Sequence, residues 1–215
     1  HGDSDWAPDG DYSPETQQED IAAVAEALGI QDFVLMGLSM GGRNAFTFAA
    51  RHPDRVRALV VVDAAPENRP AGSENIRRFV EQEDELDSID EFVERVRRYN
   101  PHRPVEQIRA SLKNNVKQLP NGKWTWKTDK VLRDPNRARE RPPTEYLWEC
   151  VSKIICPTLI VRGGVSKVFA EETGKRMVAA MANARMVTVE KADHRVPGDN
   201  PAGFERVLVE FLDGS

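Results

Sequence analysis

The sequence has 215 residues, which is enough for one sizeable domain with its own core. Its formal net charge is −5, from 30 basic and 35 acidic residues, which argues against nucleic acid as the main partner. No apolar run approaches the roughly 20 residues that a membrane span needs, so no membrane-spanning segment is predicted. The two cysteines, Cys150 and Cys156, form no metal-binding pattern, and so few thiols favour a reducing compartment such as the cytoplasm.

The first elements of the chain are predicted to be a loop and a helix. Residues 1–12 are rich in glycine, aspartate and proline, which is typical of a loop. Ser13 and Pro14 then form the signature of a helix start, with Ser13 as the N-cap. Apolar residues recur at helical spacing up to Leu28, and Gly29 ends the pattern.

A strand, a sharp turn and a helix are predicted around Ser39. The apolar run Phe33–Met36 predicts a buried strand, whose bounds are taken as Ile30–Met36, and a helical pattern follows the turn up to about Arg51. Ser39 stands between Gly37 and Gly41, as expected where strand and helix backbones approach too closely for a Cβ. Glycine and serine also form ordinary turns, but a serine at the apex of a strand–turn–helix is the setting of a nucleophile elbow. We therefore predict Ser39 as a catalytic nucleophile.

The next strand is followed by a long segment of different character. Val56–Val62 is almost continuously apolar, as expected of a parallel strand covered by helices on both faces, and Asp63 stands at its carboxyl end. Between Pro66 and Trp148 the charge density rises and strand signals disappear. This segment is predicted to be a helical insertion between two strands of one sheet.

Two further strands complete the predicted sheet. Pro157–Val161 and Met186–Val189 are apolar runs separated by a helical pattern, and His194 lies in the loop after the second run. Strands that alternate with helices predict an α/β fold with a mostly parallel sheet and flanking helices. Ligands bind beyond the carboxyl ends of such strands. Ser39, Asp63 and His194 all fall at that edge, which makes it the candidate site.

Together these motifs resemble the α/β-hydrolase superfamily over nearly the whole chain. The matching segments are His1–Asp5, Gly37–Gly42, Arg51–Val56, Pro157–Gly163 and Asp193–Pro201. The resemblance implies that the four strands correspond to the family's strands five to eight, so that the fold is N-terminally incomplete. It also implies a partial core of residues 1–65 and 149–215, with residues 66–148 as a helical cap.

The chemistry that the resemblance implies is that of a serine hydrolase. Ser39 would attack an acyl carbon, His194 would accept the serine proton, and the Met40 N–H would be one oxyanion-hole donor. The expected substrate is a small-molecule carboxylic ester or lactone, cleaved through an acyl-enzyme. The sequence contains neither a phosphate-binding glycine loop nor a zinc-binding His-Glu helix, so no cofactor or metal is predicted.

The triad acid departs from the family pattern. The family usually carries it in the loop after strand seven, but here Lys167 stands where the aspartate is expected. A lysine cannot accept the imidazole N–H, and loss of the acid costs on the order of 10⁴-fold in rate. Three explanations stay open: Asp63 serves as the acid, Glu171 or Glu172 reaches the histidine, or the site is impaired. The last makes a catalytically impaired hydrolase-fold protein or fragment, with a binding role or no independent role, the alternative function.

The resemblance implies that the family's strands one to four are missing, which leaves one edge of the sheet open. The sequence begins with His1 rather than Met, and the family's third strand would pair with the apolar run Phe33–Met36. An unpaired apolar edge is an aggregation hazard, so we expect a separate N-terminal chain or another copy in a homo-oligomer to cover it. In the family, the loop after that strand also supplies the second oxyanion amide. We therefore expect that this chain is not a self-sufficient enzyme as it stands.

Overall fold

The strands and helices alternate along most of the chain. The computed structural model describes residues 2–80, 82–99, 101, 103–134 and 142–214, so His1 lies outside the described residues. The strands are β1 (Phe33–Leu38), β2 (Val56–Val62), β3 (Val116–Gln118), β4 (Trp124–Trp126), β5 (Thr158–Gly163) and β6 (Ala184–Val189). The helices are α1 (Pro14–Ala27), α2 (Met40–Arg51), α3 (Pro70–Val80), α4 (Ile89–Tyr99), α5 (Val105–Asn115), α6 (Thr144–Ser152), α7 (Glu171–Ala180), α8 (Val196–Asp199) and α9 (Pro201–Asp213). None of the described helices combines the length and apolarity needed to cross a bilayer.

These elements are divided between two units. One unit comprises His1–Tyr12 and Glu74–Arg139, and the other comprises Ser13–Ser73 and Glu140–Ser215. The division differs from the predicted one, because the N-terminal loop groups with the inserted segment and α6 groups with the sheet. Helix α6 does so because its Leu147 and Val151 are buried in the same apolar cluster as α2 and α7. That the inserted segment acts as a cap stays a prediction.

Both faces of the main sheet are covered by apolar side chains. Strands β1, β2, β5 and β6 are parallel and lie in the order β1-β2-β5-β6. Successive side chains of β2 alternate between two clusters, Leu59 and Val61 in one and Val60 and Val62 in the other. Helices α2, α6 and α7 contribute to the first cluster and α9 to the second. The predicted α/β fold with a mostly parallel sheet is therefore confirmed.

Strand β1 differs from the prediction in its bounds and lies at the sheet edge. It spans Phe33–Leu38 rather than Ile30–Met36, because Gly37 and Leu38 continue the parallel pairing with β2. Within the described residues β1 pairs with β2 on one side, and the side chain of Met36 is half exposed. That another chain or a second copy covers this edge stays a prediction.

The unit that includes the inserted segment contains a small sheet that the sequence did not reveal. Its core is formed by α4 and α5 around Phe92 and Ile108, and Trp126 packs edge-on against Phe92 with ring centroids 4.8 Å apart. The expectation of helices without strands in this segment is wrong, because β3 and β4 pair antiparallel around a turn at Gly122. Strands of three residues are too short to show a hydrophobic period, so no strand was predicted here.

Candidate active site

Ser39 lies at the apex of a tight turn between β1 and α2. Its backbone has φ 56° and ψ −118°, a left-handed conformation that non-glycine residues rarely adopt. Such strain typically costs about 1–3 kcal/mol and is concentrated at functional sites. A Cβ on Gly37 would overlap the carbonyl of Gly41, and one on Gly42 would lie 2.6 Å from the Cβ of Ala64. Gly37 and Gly42 are therefore required by the close approach of strand and helix, whereas the same expectation for Gly41 is wrong, because a Cβ there would meet open space.

The backbone around Ser39 is fixed by the sheet on one side and the helix on the other. The Ser39 N–H donates to the carbonyl of Val62 at 3.0 Å, and its own carbonyl accepts from the N–H of Arg43 at 3.1 Å. Met40 is the first residue of α2, so its N–H is one of the amides that an α-helix leaves without an intrahelical acceptor. The positive end of the helix dipole lies at this point.

His194 is held in the loop that follows β6. The N–H of Asp193 donates to Oδ2 of Asp199 at 3.0 Å, and the N–H of His194 donates to Oδ1 of Asp193 at 2.8 Å. The end of β5 packs tightly on this loop, since a Cβ on Gly163 would overlap the carbonyl of Asp193. These contacts fix the imidazole relative to the carboxyl edge of the sheet.

Asp63 follows β2 and is fully buried. Like Ser39, it has a positive φ, 45°, which points to a backbone held under strain. Its Oδ1 accepts the N–H of Gly163 at 2.9 Å. Its Oδ2 accepts the hydroxyl of Ser166 at 2.6 Å and lies 2.8 Å from Nδ1 of His194. A buried carboxylate needs such donors, because burial without them is costly.

The imidazole of His194 joins Ser39 to Asp63. Nε2 lies 2.9 Å from Oγ of Ser39, and Nδ1 lies 2.8 Å from Oδ2 of Asp63. Because an ionised carboxylate can only accept, the proton of a neutral imidazole is assigned to Nδ1, which leaves Nε2 as the acceptor for the serine hydroxyl. This arrangement can move a proton from Ser39 to His194 and can stabilise the imidazolium that results.

The other acid candidates do not share this position. Lys167 is exposed in the loop after β5, where Ser166 rather than Lys167 contacts the aspartate. Glu171 is exposed and pairs with Lys175 at 3.0 Å, and Glu172 is exposed in the first turn of α7. Among the described carboxylates, that of Asp63 is the one in contact with Nδ1.

Within the described ranges, no cluster of three or more His, Cys, Asp or Glu residues has an arrangement that could hold a metal ion. Cys150 and Cys156 are free thiols, and burial raises the pKa of both above the usual value. Their burial therefore favours the protonated thiol over the thiolate that binds metals.

Comparison with known proteins, like the geometry of the site, indicates a hydrolase. A family profile described as the alpha/beta hydrolase fold matches residues 1–201. The chain belongs to the α/β-hydrolase family. Esterase Rv0045c of Mycobacterium tuberculosis is 30% identical over 221 residues, which is 100% of this hydrolase and 70% of the relative. The sn-1-specific diacylglycerol lipase ABHD11 of Mus musculus is 27% identical over 99% of this chain and 68% of its own length.

Solved structures agree with the fold of this hydrolase. The crystal structure of the Mycobacterium tuberculosis esterase Rv0045c superposes with a TM-score of 0.81 at 29% identity, over 99% of this chain and 72% of the other. That of E-2-(acetamidomethylene)succinate hydrolase gives a TM-score of 0.86 at 24% identity, over 99% of this chain and 78% of the other. The second similarity, at this identity, concerns the fold.

Proposed function

We propose that this hydrolase cleaves a small-molecule carboxylic ester or lactone through a serine acyl-enzyme. The observation that carries the proposal is the continuous hydrogen-bonded line from Ser39 Oγ through His194 to Asp63 Oδ2, with contacts of 2.9 and 2.8 Å. Two of the relatives are an esterase and a lipase by name, which supports an ester as the substrate. In this proposal the turn at Ser39 is a nucleophile elbow.

The proposed reaction has two halves that use the same groups. In the first, Ser39 Oγ attacks the acyl carbon while its proton passes to Nε2 of His194. The tetrahedral intermediate then collapses, the carbon–oxygen bond to the leaving alcohol breaks, and the imidazolium returns the proton to that alcohol. In the second half, His194 takes a proton from water, which attacks the acyl-enzyme, and the proton returns to Ser39 as the acid leaves.

Two further groups stabilise the charges that develop during this reaction. Asp63 orients the imidazole through Nδ1 and stabilises the imidazolium, which is the part that the acid has in a serine triad. The N–H of Met40, at the start of α2, donates to the oxyanion. Stabilisation of the imidazolium and of the oxyanion arises only as charge develops, so these two interactions would lower the barrier more than they strengthen substrate binding.

The proposal is tested by labelling with a fluorophosphonate and measuring the intact mass. One equivalent of label on Ser39, lost in Ser39→Ala and in His194→Ala, is the expected result. Ser152→Ala is the matched control, because the Ser152 hydroxyl is exposed and donates to the carbonyl of Glu149 instead of to an imidazole. Circular dichroism confirms that each variant is folded.

The alternative, a catalytically impaired hydrolase-fold protein, predicts the opposite outcome. Its main support in the sequence is Lys167 at the expected acid position, whereas the contact of Asp63 with His194 supports Asp63 as the acid of the proposed reaction. Folded wild-type protein that takes up no label would nevertheless favour this alternative over the proposed activity.

The proposal also concerns the unpaired edge of strand β1 and the cellular compartment of the protein. We propose that another chain or a second copy covers the apolar edge formed by β1, where Met36 is half exposed. A monodisperse monomer in light scattering that also unfolds cooperatively would contradict this.

The two free thiols favour the cytoplasm as the compartment of the protein, which cell fractionation tests.

A further inference from the structure

The loop after β5 contains a buried hydroxyl, that of Ser166, which takes no part in the steps of the proposed reaction. Ser166 is buried, although both of its neighbours, Val165 and Lys167, are exposed. Its N–H donates to the carbonyl of Gly163 at 3.0 Å, which turns the loop inward at this residue. The hydroxyl thereby reaches the carboxylate of Asp63, which comes from the neighbouring strand.

The hydrogen bonds of Ser166 fix the direction of its hydroxyl proton. Its Oγ accepts the N–H of Val168 at 3.2 Å and the N–H of Phe169 at 3.3 Å. A serine hydroxyl has two acceptor lone pairs and one proton, so the two amides occupy the acceptor positions. The proton is left for Oδ2 of Asp63 at 2.6 Å. Every hydrogen-bonding capacity of this hydroxyl is then used.

Both oxygens of the Asp63 carboxylate are consequently held by donors from the end of β5 and its loop. Oδ1 accepts the N–H of Gly163, and Oδ2 accepts the hydroxyl of Ser166 as well as the Nδ1 proton of His194. Rotation of the carboxylate plane would break the first two contacts together. The orientation in which Oδ2 faces the imidazole is therefore set by the N–H of Gly163 and the hydroxyl of Ser166 as well as by the imidazole itself.

We propose that Ser166 is a positioning residue for the hydrolase reaction. It donates a hydrogen bond to Asp63 Oδ2 and so holds that oxygen where it accepts the Nδ1–H of His194. The inference rests on the proposed function of the Ser39 site. The loop after β5 carries Lys167 where the acid was expected. In this proposal the loop does not supply the acid but supports Asp63, which follows the adjacent strand β2.

Removal of the hydroxyl is expected to slow the chemical step. A hydrogen bond to a charged group is typically worth about tenfold to a hundredfold in an equilibrium constant. We expect Ser166→Ala to lower kcat on a p-nitrophenyl ester by about this factor, with little change in KM, because Ser166 acts through Asp63 and not on the substrate. The rate of fluorophosphonate labelling should fall by the same factor.

A double-mutant cycle separates this role from a merely structural one. The variants are Ser166→Ala, Asp63→Asn and the pair, each measured by labelling rate and by final label stoichiometry, which counts the folded sites. Thr158→Val is the matched control, because it removes a buried hydroxyl bond, to the carbonyl of Cys156 at 3.0 Å, at the opposite end of β5. If Ser166→Ala does not fold, Ser166→Cys nearly keeps the volume but offers only a weak donor.

The outcomes distinguish the inference from the function on which it rests. The inference predicts slow labelling of Ser166→Ala at full stoichiometry, an unchanged rate for Thr158→Val, and a much smaller effect of Ser166→Ala in the Asp63→Asn background. Wild-type rates in Ser166→Ala, or the same factor in both backgrounds, would overturn the inference and leave the proposed function standing. A wild-type protein that takes up no label would overturn both.

Discussion

Replacement of Asp63 by asparagine turns one carboxylate oxygen into an amide donor at a site with three donors around it. The N–H of Gly163, the hydroxyl of Ser166 and Nδ1 of His194 all face the carboxylate. An asparagine can accept on one side only. If its oxygen faces Gly163, its NH₂ group faces the imidazole, and Nδ1 must become an acceptor. If its oxygen faces the imidazole, the NH₂ group opposes the N–H of Gly163.

The first arrangement is expected to reverse the imidazole tautomer. Nε2 of His194 then carries the proton and points it at Oγ of Ser39, 2.9 Å away, so it can no longer accept the serine proton. In the serine-triad template the wrong tautomer costs about 10⁴-fold in kcat. The second arrangement keeps the tautomer but leaves two buried donors facing each other, at a cost of about 1–3 kcal/mol. We therefore expect Asp63→Asn to lose about 10³- to 10⁴-fold in kcat.

The assay is hydrolysis of a p-nitrophenyl ester under saturating conditions, with active sites counted by fluorophosphonate. Asp129→Asn is the matched control, because Asp129 is also buried and hydrogen-bonded but belongs to the other unit, where it contacts Tyr12. Activity of Asp63→Asn within tenfold of wild type would refute the reasoning. Another residue would then have to orient His194, or no acid would be needed.

The other predictions concern packing, the acid position and pH. Gly42→Ala places a Cβ 2.6 Å from a neighbouring side chain and should lower the free energy of unfolding in urea by about 1–3 kcal/mol, whereas Gly41→Ala, with open space, should be neutral or stabilising. Lys167→Asp should change kcat by less than about threefold, and an increase by orders of magnitude would mean that Asp63 is not the acid. Burial and, less strongly, nearby arginines lower the pKa of His52 from 6.5, so the free energy of unfolding should fall as pH drops through that value. His52→Gln should flatten this part of the profile in urea titrations at several pH values.

The parallel sheet and the location of the site were readable from the sequence because both depend on local patterns. The alternation of apolar runs with helical segments fixes the order of strands and helices. Gly37 and Gly41 around Ser39 indicate the tight turn, and the place of His194 after the last strand puts it at the same edge. These signals lie within a few residues of the groups that they predict.

The acid was left open because it depends on the order of strands in space. Strand β2 lies between β1 and β5, so its carboxyl end stands beside both the serine turn and the loop after β5. The sequence placed Asp63 at the end of a strand, ahead of Glu171 and Glu172 among the candidates, but could not show that its carboxylate reaches His194. The proposed contribution of Ser166 was hidden for the same reason, since the hydrogen bond from its hydroxyl to Asp63 joins residues 103 positions apart.

The small sheet formed by β3 and β4 was missed for a different reason. Its strands have three residues each, and Trp124 also forms a β-bridge with Leu86. These strands are therefore defined by their hydrogen-bonded partners and not by an alternation of apolar and polar residues along the sequence. The turn at Gly122, where φ is 85°, suits a glycine, but a glycine turn alone does not distinguish a hairpin from a helix connection.

The central claim, that Ser39 forms an acyl-enzyme, is tested most directly by rapid quenching during turnover of a p-nitrophenyl ester followed by peptide mass analysis. The account predicts a burst of nitrophenol of one equivalent per site and an acyl group on the peptide that contains Ser39. In Ser39→Ala both should vanish. Turnover with an acyl group on a different residue, or without any covalent adduct under conditions in which release is slow, would contradict it.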